Sequence, residues 1–347
     1  MCSGCEGHER LHLHEVFLSR RGPGASASSW PALEAEVAMN QHNPACRVCG
    51  NVDTRSLGAL SDVASFAGVR LQYPISGGQL FECSDCGLLF RHPVLDDEAY
   101  TALYTAGRPD VWDVESVRSD FERVRQQIPA AAIDVLDVGC YTGQLLDSLR
   151  IECRRHGVEP NAQAAARARE RGIRIVASHW REIAGGPMYD VIVACDVIEH
   201  VVDPHDFLVV LSAQLKPGGR LIITTGNAEA WLWKLMGTRF WYCYWPEHIS
   251  FVSPRWWRWM ADRCGLTITA MLPFRHTPPP VVPRMLAAVA QLALYWAARP
   301  LYWRLRAWWA GPDCGELGPP GGANLSKDHL LCELQKASDP AAIAPLA

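Results

Sequence analysis

The chain has 347 residues, 49% of them hydrophobic, with 33 basic and 37 acidic side chains and a formal net charge of -4. That length holds one large domain and a smaller one, and the acidic balance excludes a dedicated nucleic-acid binder, which carries a basic surplus. Thirteen cysteines behind an N-terminus without an apolar h-region are expected in a reducing cytoplasm, where cysteine pairs hold metal more often than they form disulfides.

Residues 1–43 read as a loosely ordered extension. Gly22 to Ser29 has linker composition, and Cys2, Cys5, His8, His12 and His14 sit in a stretch without apolar periodicity, which favours a disordered tail over a metal site. Residues 44–92 form a second unit, bracketed by Cys46-Arg47-Val48-Cys49-Gly50 and Cys83-Ser84-Asp85-Cys86-Gly87. Two thiolates two residues apart reach one tetrahedral ion, and the glycine after each pair permits the tight turn. Cys46, Cys49, Cys83 and Cys86 are therefore expected to hold a structural Zn²⁺, with no open position for catalysis.

From about residue 115 the pattern becomes α/β. A polar helix is expected over Val117–Gln127. Apolar runs follow at Ile133–Val138, Ile173–Val176, Asp190–Cys195 and Arg220–Thr225, alternating with helical stretches as in a mostly parallel sheet. Pro254 to Cys264 predicts a helix ending at Gly265, with strands at Leu266–Ala270 and His329–Leu334. The run Asp137-Val138-Gly139-Cys140-Tyr141-Thr142-Gly143 is a strand leading into a glycine turn and a helix, and Glu159 follows Gly139 by about 20 residues, a spacing that suits a ribose-bearing ligand. Tyr141 stands where a dinucleotide site wants its second glycine, and the acid at Asp137 suits a cationic sulfonium.

These residues resemble the class I S-adenosylmethionine-dependent methyltransferases. Asp137 to Gly143 is similar to their first motif, with Tyr141 in place of the commonest glycine. Tyr189 to Pro204, containing Asp196, Glu199 and His200, is similar to the fourth-strand motif, and Leu215 to Ile223, with Lys216-Pro217-Gly218-Gly219, to the turn into the fifth strand. The resemblance implies a Rossmann-like fold with a seven-stranded sheet over residues 93–280. It also implies S-adenosylmethionine held by Asp137, Gly139, Cys140, Tyr141, Gly143, Glu159, Pro160, Asp196 and Val197. With the cysteine pairs ahead of it, the chain further resembles bacterial sugar C-methyltransferases, whose Glu-His-x-Ser motif matches Glu247-His248-Ile249-Ser250. Trp245 replaces their tyrosine, and no counterpart of their C-terminal domain is expected in the residues that follow.

The resemblance makes His248, placed by Glu247, the expected general base toward a small-molecule, sugar or lipid-linked acceptor, and an imidazole titrating near neutrality fits that role. Two other readings remain. Asp196, Glu199 and His200 form an acid-x-x-Glu-His arrangement of the kind in metal-assisted O-methyltransferases acting on phenolic or quinone-like lipids. Alternatively, the chain is a cofactor-binding scaffold without chemistry. Residues 281–312 are apolar and rich in Trp and Arg; the uninterrupted apolar run, Met285 to Ala298, is too short to span a bilayer, and residues 284–309 read either as peripheral helices at the inner face of the membrane or as a lid or dimer surface. Residues 313–347 are expected to supply the last strand of the sheet and a flexible tail.

Overall fold

The computed structural model describes residues 12–13, 33–34, 43–108, 118–183, 185, 188–275, 282–310 and 325–338. Cys2, Cys5, His8 and His14 lie outside them, and of the N-terminal extension only a two-residue ladder, His12–Leu13 against Leu33–Glu34, is described up to residue 42.

The cysteine unit is built of short antiparallel strands: β1 (Thr54–Ala59), β2 (Val63–Phe66), β3 (Val69–Ile75), β4 (Gln79–Cys83) and β5 (Leu89–His92). β2 and β3 form a hairpin; β1, β4 and β5 form a sheet. Helix α1 (Asp97–Ala106) follows, its first turn capped by the Asp96 carboxylate accepting from the Ala99 N–H.

The large domain begins at α2 (Ser119–Gln127). Then come β6 (Asp134–Val138), α3 (Gln144–Asp147), β7 (Arg154–Val158), α4 (Ala162–Glu170), β8 (Arg174–Ala177), β9 (Tyr189–Cys195), α5 (Pro204–Gln214), β10 (Leu215–Gly226) and α6 (Trp231–Met236). Two-residue β11 (Ser250–Phe251), α7 (Pro254–Ala261), β12 (Leu266–Phe274), α8 (Val282–Ala297), α9 (Arg299–Ala310) and β13 (His329–Lys336) complete it.

Seven strands form one sheet in the order β8-β7-β6-β9-β10-β13-β12. The first five run parallel, and β13 runs antiparallel to both neighbours. This is the Rossmann-like methyltransferase sheet that the motifs imply, and β13 is the expected last strand. β6 is buried along its whole length, its two acids Asp134 and Asp137 included, because helices cover both faces of the sheet. Helix α7 buries Trp256, Trp257, Met260 and Ala261, spaced three and four apart, and hands over through a 3₁₀ turn to Gly265, whose φ of +64° ends the helical segment.

The cysteine unit is not packed as a separate body. β11 pairs antiparallel with β5 and completes its sheet, in the order β11-β5-β4-β1. Cys46, Cys83, Cys86, Leu88 and Phe90 share one buried cluster with Leu136, Val138, Trp256 and Trp257 of the large domain. The apolar segment after β12 is a helical hairpin, α8 and α9, whose Leu292, Tyr295 and Tyr302 pack with Trp233, Phe240 and Tyr242.

Candidate active site

A cavity of about 770 Å³ opens where the loops after β6, β7, β8 and β9 meet, at the carboxyl edge of the parallel strands. At its first rim, Gly139 leaves β6 with φ +77°, and the Gly139 and Cys140 N–H groups donate to the Val158 carbonyl at 2.9 and 3.1 Å. A Cβ at Gly139 would come within 2.7 Å of Val197 Cγ2, so the close approach of two loops requires glycine. Tyr141 keeps φ +50° although it is not glycine. Its N–H donates to Glu159 Oε2 at 2.9 Å, and the Asn161 N–H donates to Oε1 at 2.8 Å, which fixes the carboxylate on the cavity wall. Burial pushes the Glu159 carboxyl up to about 7.

The wall includes Gly139, Tyr141, Glu159, Pro160, Asp196, Val197, Glu247 and His248 from the sequence reading. Asp137 and Cys140 lie in an adjoining recess with Arg118, Thr142 and Gln144. Burial pushes Asp137 up to about 8, against the pull of the Arg118 guanidinium. Gly143 is on neither wall: a Cβ there would meet Ile173 Cδ1 at 2.0 Å, so it serves helix-to-strand packing. Arg118, within the polar helix expected over Val117–Gln127 and found just ahead of α2, lines both spaces. It donates to Asp120 Oδ1 at 3.0 Å and to Asp196 Oδ2.

The far end of the cavity collects Glu199, His200 and His248, whose ligand-capable atoms lie within 4.8 Å of one another. His248 Nδ1 is 2.8 Å from the Tyr242 carbonyl, and His200 Nδ1 is 3.0 Å from the Glu247 carbonyl and 2.7 Å from Tyr104 Oη. A carbonyl only accepts, so each Nδ1 carries the proton and each Nε2 keeps a lone pair. Glu199 accepts from Thr225 Oγ1 at 2.9 Å and from Tyr242 Oη, and burial, reinforced by Asp196, lifts it to about 8. Burial lowers His200 to about 4 and His248 well below the usual imidazole range. Both rings are therefore neutral through the physiological range, and His248 does not titrate near neutrality as its residue type suggests. Tyr104, Trp180, Trp241, Tyr242 and Trp245 supply aromatic walls.

Glu247 bonds outward from the histidine. Its Oε1 accepts from the Ala67 N–H at 2.6 Å, at the tip of the β2–β3 hairpin. Two arginines of the cysteine unit, Arg91 buried and Arg47 half-buried, hold the same loop. Arg91 donates to the carbonyls of Cys243 and Trp245 at 3.0 Å each and of His248 at 3.2 Å, and Arg47 donates to the Ile249 carbonyl at 2.6 Å. No periodicity in the sequence announces these contacts, which join residues about 150 to 200 positions apart.

The four cysteines meet in the structure. Cys46 Sγ lies 3.6 Å from Cys86 Sγ, Cys49 Sγ lies 3.4 Å from Cys83 Sγ, and all four sulfurs lie within 4.8 Å of one another. Four sulfurs converging on one point fit a tetrahedral thiolate site.

A family profile described as "Methyltransferase domain" matches residues 115–271. The chain is similar to the ubiquinone biosynthesis O-methyltransferase of Vibrio parahaemolyticus, 30% identical over 161 residues, 42% of this chain and 68% of the relative. It is also similar to the protein of that name from Cronobacter sakazakii, 34% identical over 119 residues, 30% of this chain and 48% of the relative. The chain thus spans about half the length of the Cronobacter relative. Among solved structures, N-methyltransferase NodS from Bradyrhizobium japonicum WM9 in complex with S-adenosyl-L-homocysteine is 15% identical, covering 69% of this chain and 97% of that chain with a TM-score of 0.41.

Proposed function

We infer, from the premise that this chain belongs to the class I S-adenosylmethionine-dependent methyltransferases, that it transfers a methyl group to a hydroxyl of a phenol-like acceptor. The observation that carries this reading is the two-ended cavity: Glu159 and the Gly139 turn at one rim, and Glu199, His200 and His248 at the other. When bound, the cofactor supplies an electrophilic methyl group on a sulfonium. Glu159 would accept from its ribose hydroxyls, and Arg118, at the adjoining recess, would pair with the carboxylate of its amino-acid end. His248 Nε2 takes the acceptor's hydroxyl proton, its Nδ1–H held by the Tyr242 carbonyl. Trp241, Tyr242 and Trp245 stack on an aromatic ring and align its oxygen for in-line attack. The names of the relatives support an oxygen nucleophile on a ring.

A second reading rests on the same trio. Glu199, His200 and His248 would hold a divalent cation, which would supply Lewis acidity to the acceptor hydroxyl; two imidazoles with pinned Nδ1 protons and a carboxylate form a suitable donor set. The cysteine cluster is read as a structural Zn²⁺ site that folds the unit bracing the His248 loop. Radiolabelled methyl transfer to a panel of catechols and prenylated catechols tests the reading, with sugars and amines as controls. Labelling of sugars or amines alone would overturn the acceptor class. Loss of activity on dialysis against a chelator too weak to strip the thiolates, with recovery on adding Mg²⁺ or Mn²⁺, selects the cation reading.

A further inference from the structure

The α8–α9 hairpin turns apolar side chains outward. On α8, Val282, Met285, Leu286, Val289 and Trp296 are exposed, at the three- and four-residue spacing of a single helical stripe, while Ala288, Leu292 and Tyr295 fill a separate, buried stripe beside it. On α9 the same holds for Leu301, Leu305 and Trp308, the last 85% exposed, against buried Tyr302. Helix α6, packed in the same cluster, exposes Trp231 and Leu235. A helix apolar on both faces has a second apolar partner.

Charge identifies that partner. Residues 231–246 and 282–310 contain Lys234, Arg239, Arg284, Arg299, Arg304 and Arg306 and no acidic residue, in a chain whose net charge is -4. Arg304 is exposed between Leu301 and Leu305. Arg239 lies over the Trp296 ring and donates to the Trp296 carbonyl at 2.7 Å, which ties the loop after α6 to α8. Among the described residues no helix is long and apolar enough to cross a membrane. Exposed Trp and Leu with interspersed Arg on short helices match the boundary between anionic headgroups and acyl chains. We propose that α8 and α9, with α6 beside them, dock this protein on the surface of an anionic lipid bilayer. The docked face connects to the cavity: Tyr244 packs on Trp303 of α9 at 6.2 Å between centroids and on Trp245, which lines the cavity, at 5.5 Å.

The test is flotation of the full chain with vesicles of phosphatidylcholine alone and with about a third phosphatidylglycerol, at low and high salt, alongside sedimentation velocity without lipid. Protein should float with the anionic vesicles and be released by salt. Arg304→Gln should weaken the partition about fivefold, the share of one basic residue at such a surface. Leu305→Glu with Trp308→Glu should abolish it without changing the melting temperature, because both side chains already face solvent. Failure to float with anionic vesicles at low salt overturns the proposal, and so does equal flotation with neutral ones. A stable dimer that Leu305→Glu with Trp308→Glu dissociates also overturns it, since a second copy would then be the partner of this face.

Discussion

At the cofactor end of the cavity, three wall residues follow directly on strands of one sheet: Gly139 after β6, Glu159 after β7 and Asp196 after β9. At the acceptor end, the walls come from pieces distant in the chain. Tyr104 is from α1, His200 from the turn after β9, and Tyr242 and His248 from the loop after α6; Ala67, Arg47 and Arg91 of the cysteine unit hold that loop from behind. The first end inherits its rigidity from the sheet, whereas the second depends on long-range polar contacts to buried groups. Losing a partner to such a group exposes the full cost of burying it. The two ends should therefore fail separately.

The largest effect tests that separation. Cys83→Ser with Cys86→Ser removes half of the thiolate set and frees β5 and the Arg91 clamp. Acceptor turnover should vanish and bound zinc should fall from about one ion per chain to none. Cofactor affinity measured by calorimetry should stay within about tenfold, because the rim built on β6 and β7 is untouched, a free-energy change of about 1.4 kcal/mol at most. Equal collapse of both functions would show that the ends form one cooperative unit. Next comes His248→Asn, which should lower turnover about 10²–10⁴-fold with cofactor affinity barely moved. Since burial holds the wild-type imidazole well below its usual range, the pH–rate profile at saturating cofactor should show no decline at the ordinary imidazole pKa and fall only lower, as the ring gains its proton. A decline centred on the ordinary imidazole pKa would assign the base to another group.

Glu159→Ala acts at the other end. It should weaken cofactor binding by roughly 1.5–3 kcal/mol, the range for hydrogen bonds to a charged group, and leave the chemistry of bound substrates intact. Wild-type affinity should also depend on pH. With Glu159 at about 7, protonation below that pH removes the ionised acceptor, so affinity should drop by up to about tenfold per pH unit as pH falls, and Glu159→Gln should flatten the profile. The same slope in Glu159→Gln would assign the titration elsewhere, Asp137 first.

Legibility in the sequence follows the same division. Gly139, Glu159 and the run to Asp196 were readable because strand, turn and acid lie close together in the chain, where local spacing carries the chemistry. The four cysteines were readable for the same reason, since each pair reports its own turn. His329 to Leu334 was readable as a strand, although its place between β10 and β12 is a property of topology. The bracing of His248 was not readable: Arg91 and Arg47 look like ordinary strand and turn residues until β11 joins the sheet of the cysteine unit. Arg118 was hidden in the same way, because it enters the cavity wall only when α2 packs on the sheet. The strands of the cysteine unit escaped because they are short and Gly58 breaks the alternation of β1. The neutrality of His200 and His248 is likewise a consequence of burial, which the residue type does not encode.

The smallest effect bears on why the cofactor rim tolerates a side chain where a glycine is commonest. Tyr141 holds φ +50°, a left-handed conformation that costs a non-glycine residue roughly 1–2 kcal/mol. Tyr141→Gly removes that strain but restores to the unfolded chain the freedom that glycine loses on folding, roughly 0.5–1 kcal/mol. The Tyr141 N–H bond to Glu159 belongs to the backbone and survives the change. The net expectation is a gain of about 0–1.5 kcal/mol, read as a melting temperature raised by no more than about 4 °C for a chain of this size. Cofactor affinity should fall only modestly, by the contact the ring makes at the wall. A melting temperature that drops by several degrees would mean that the tyrosine ring, and not the turn geometry, stabilises this rim. The sheet-built end would then depend on side-chain contacts as the far end does.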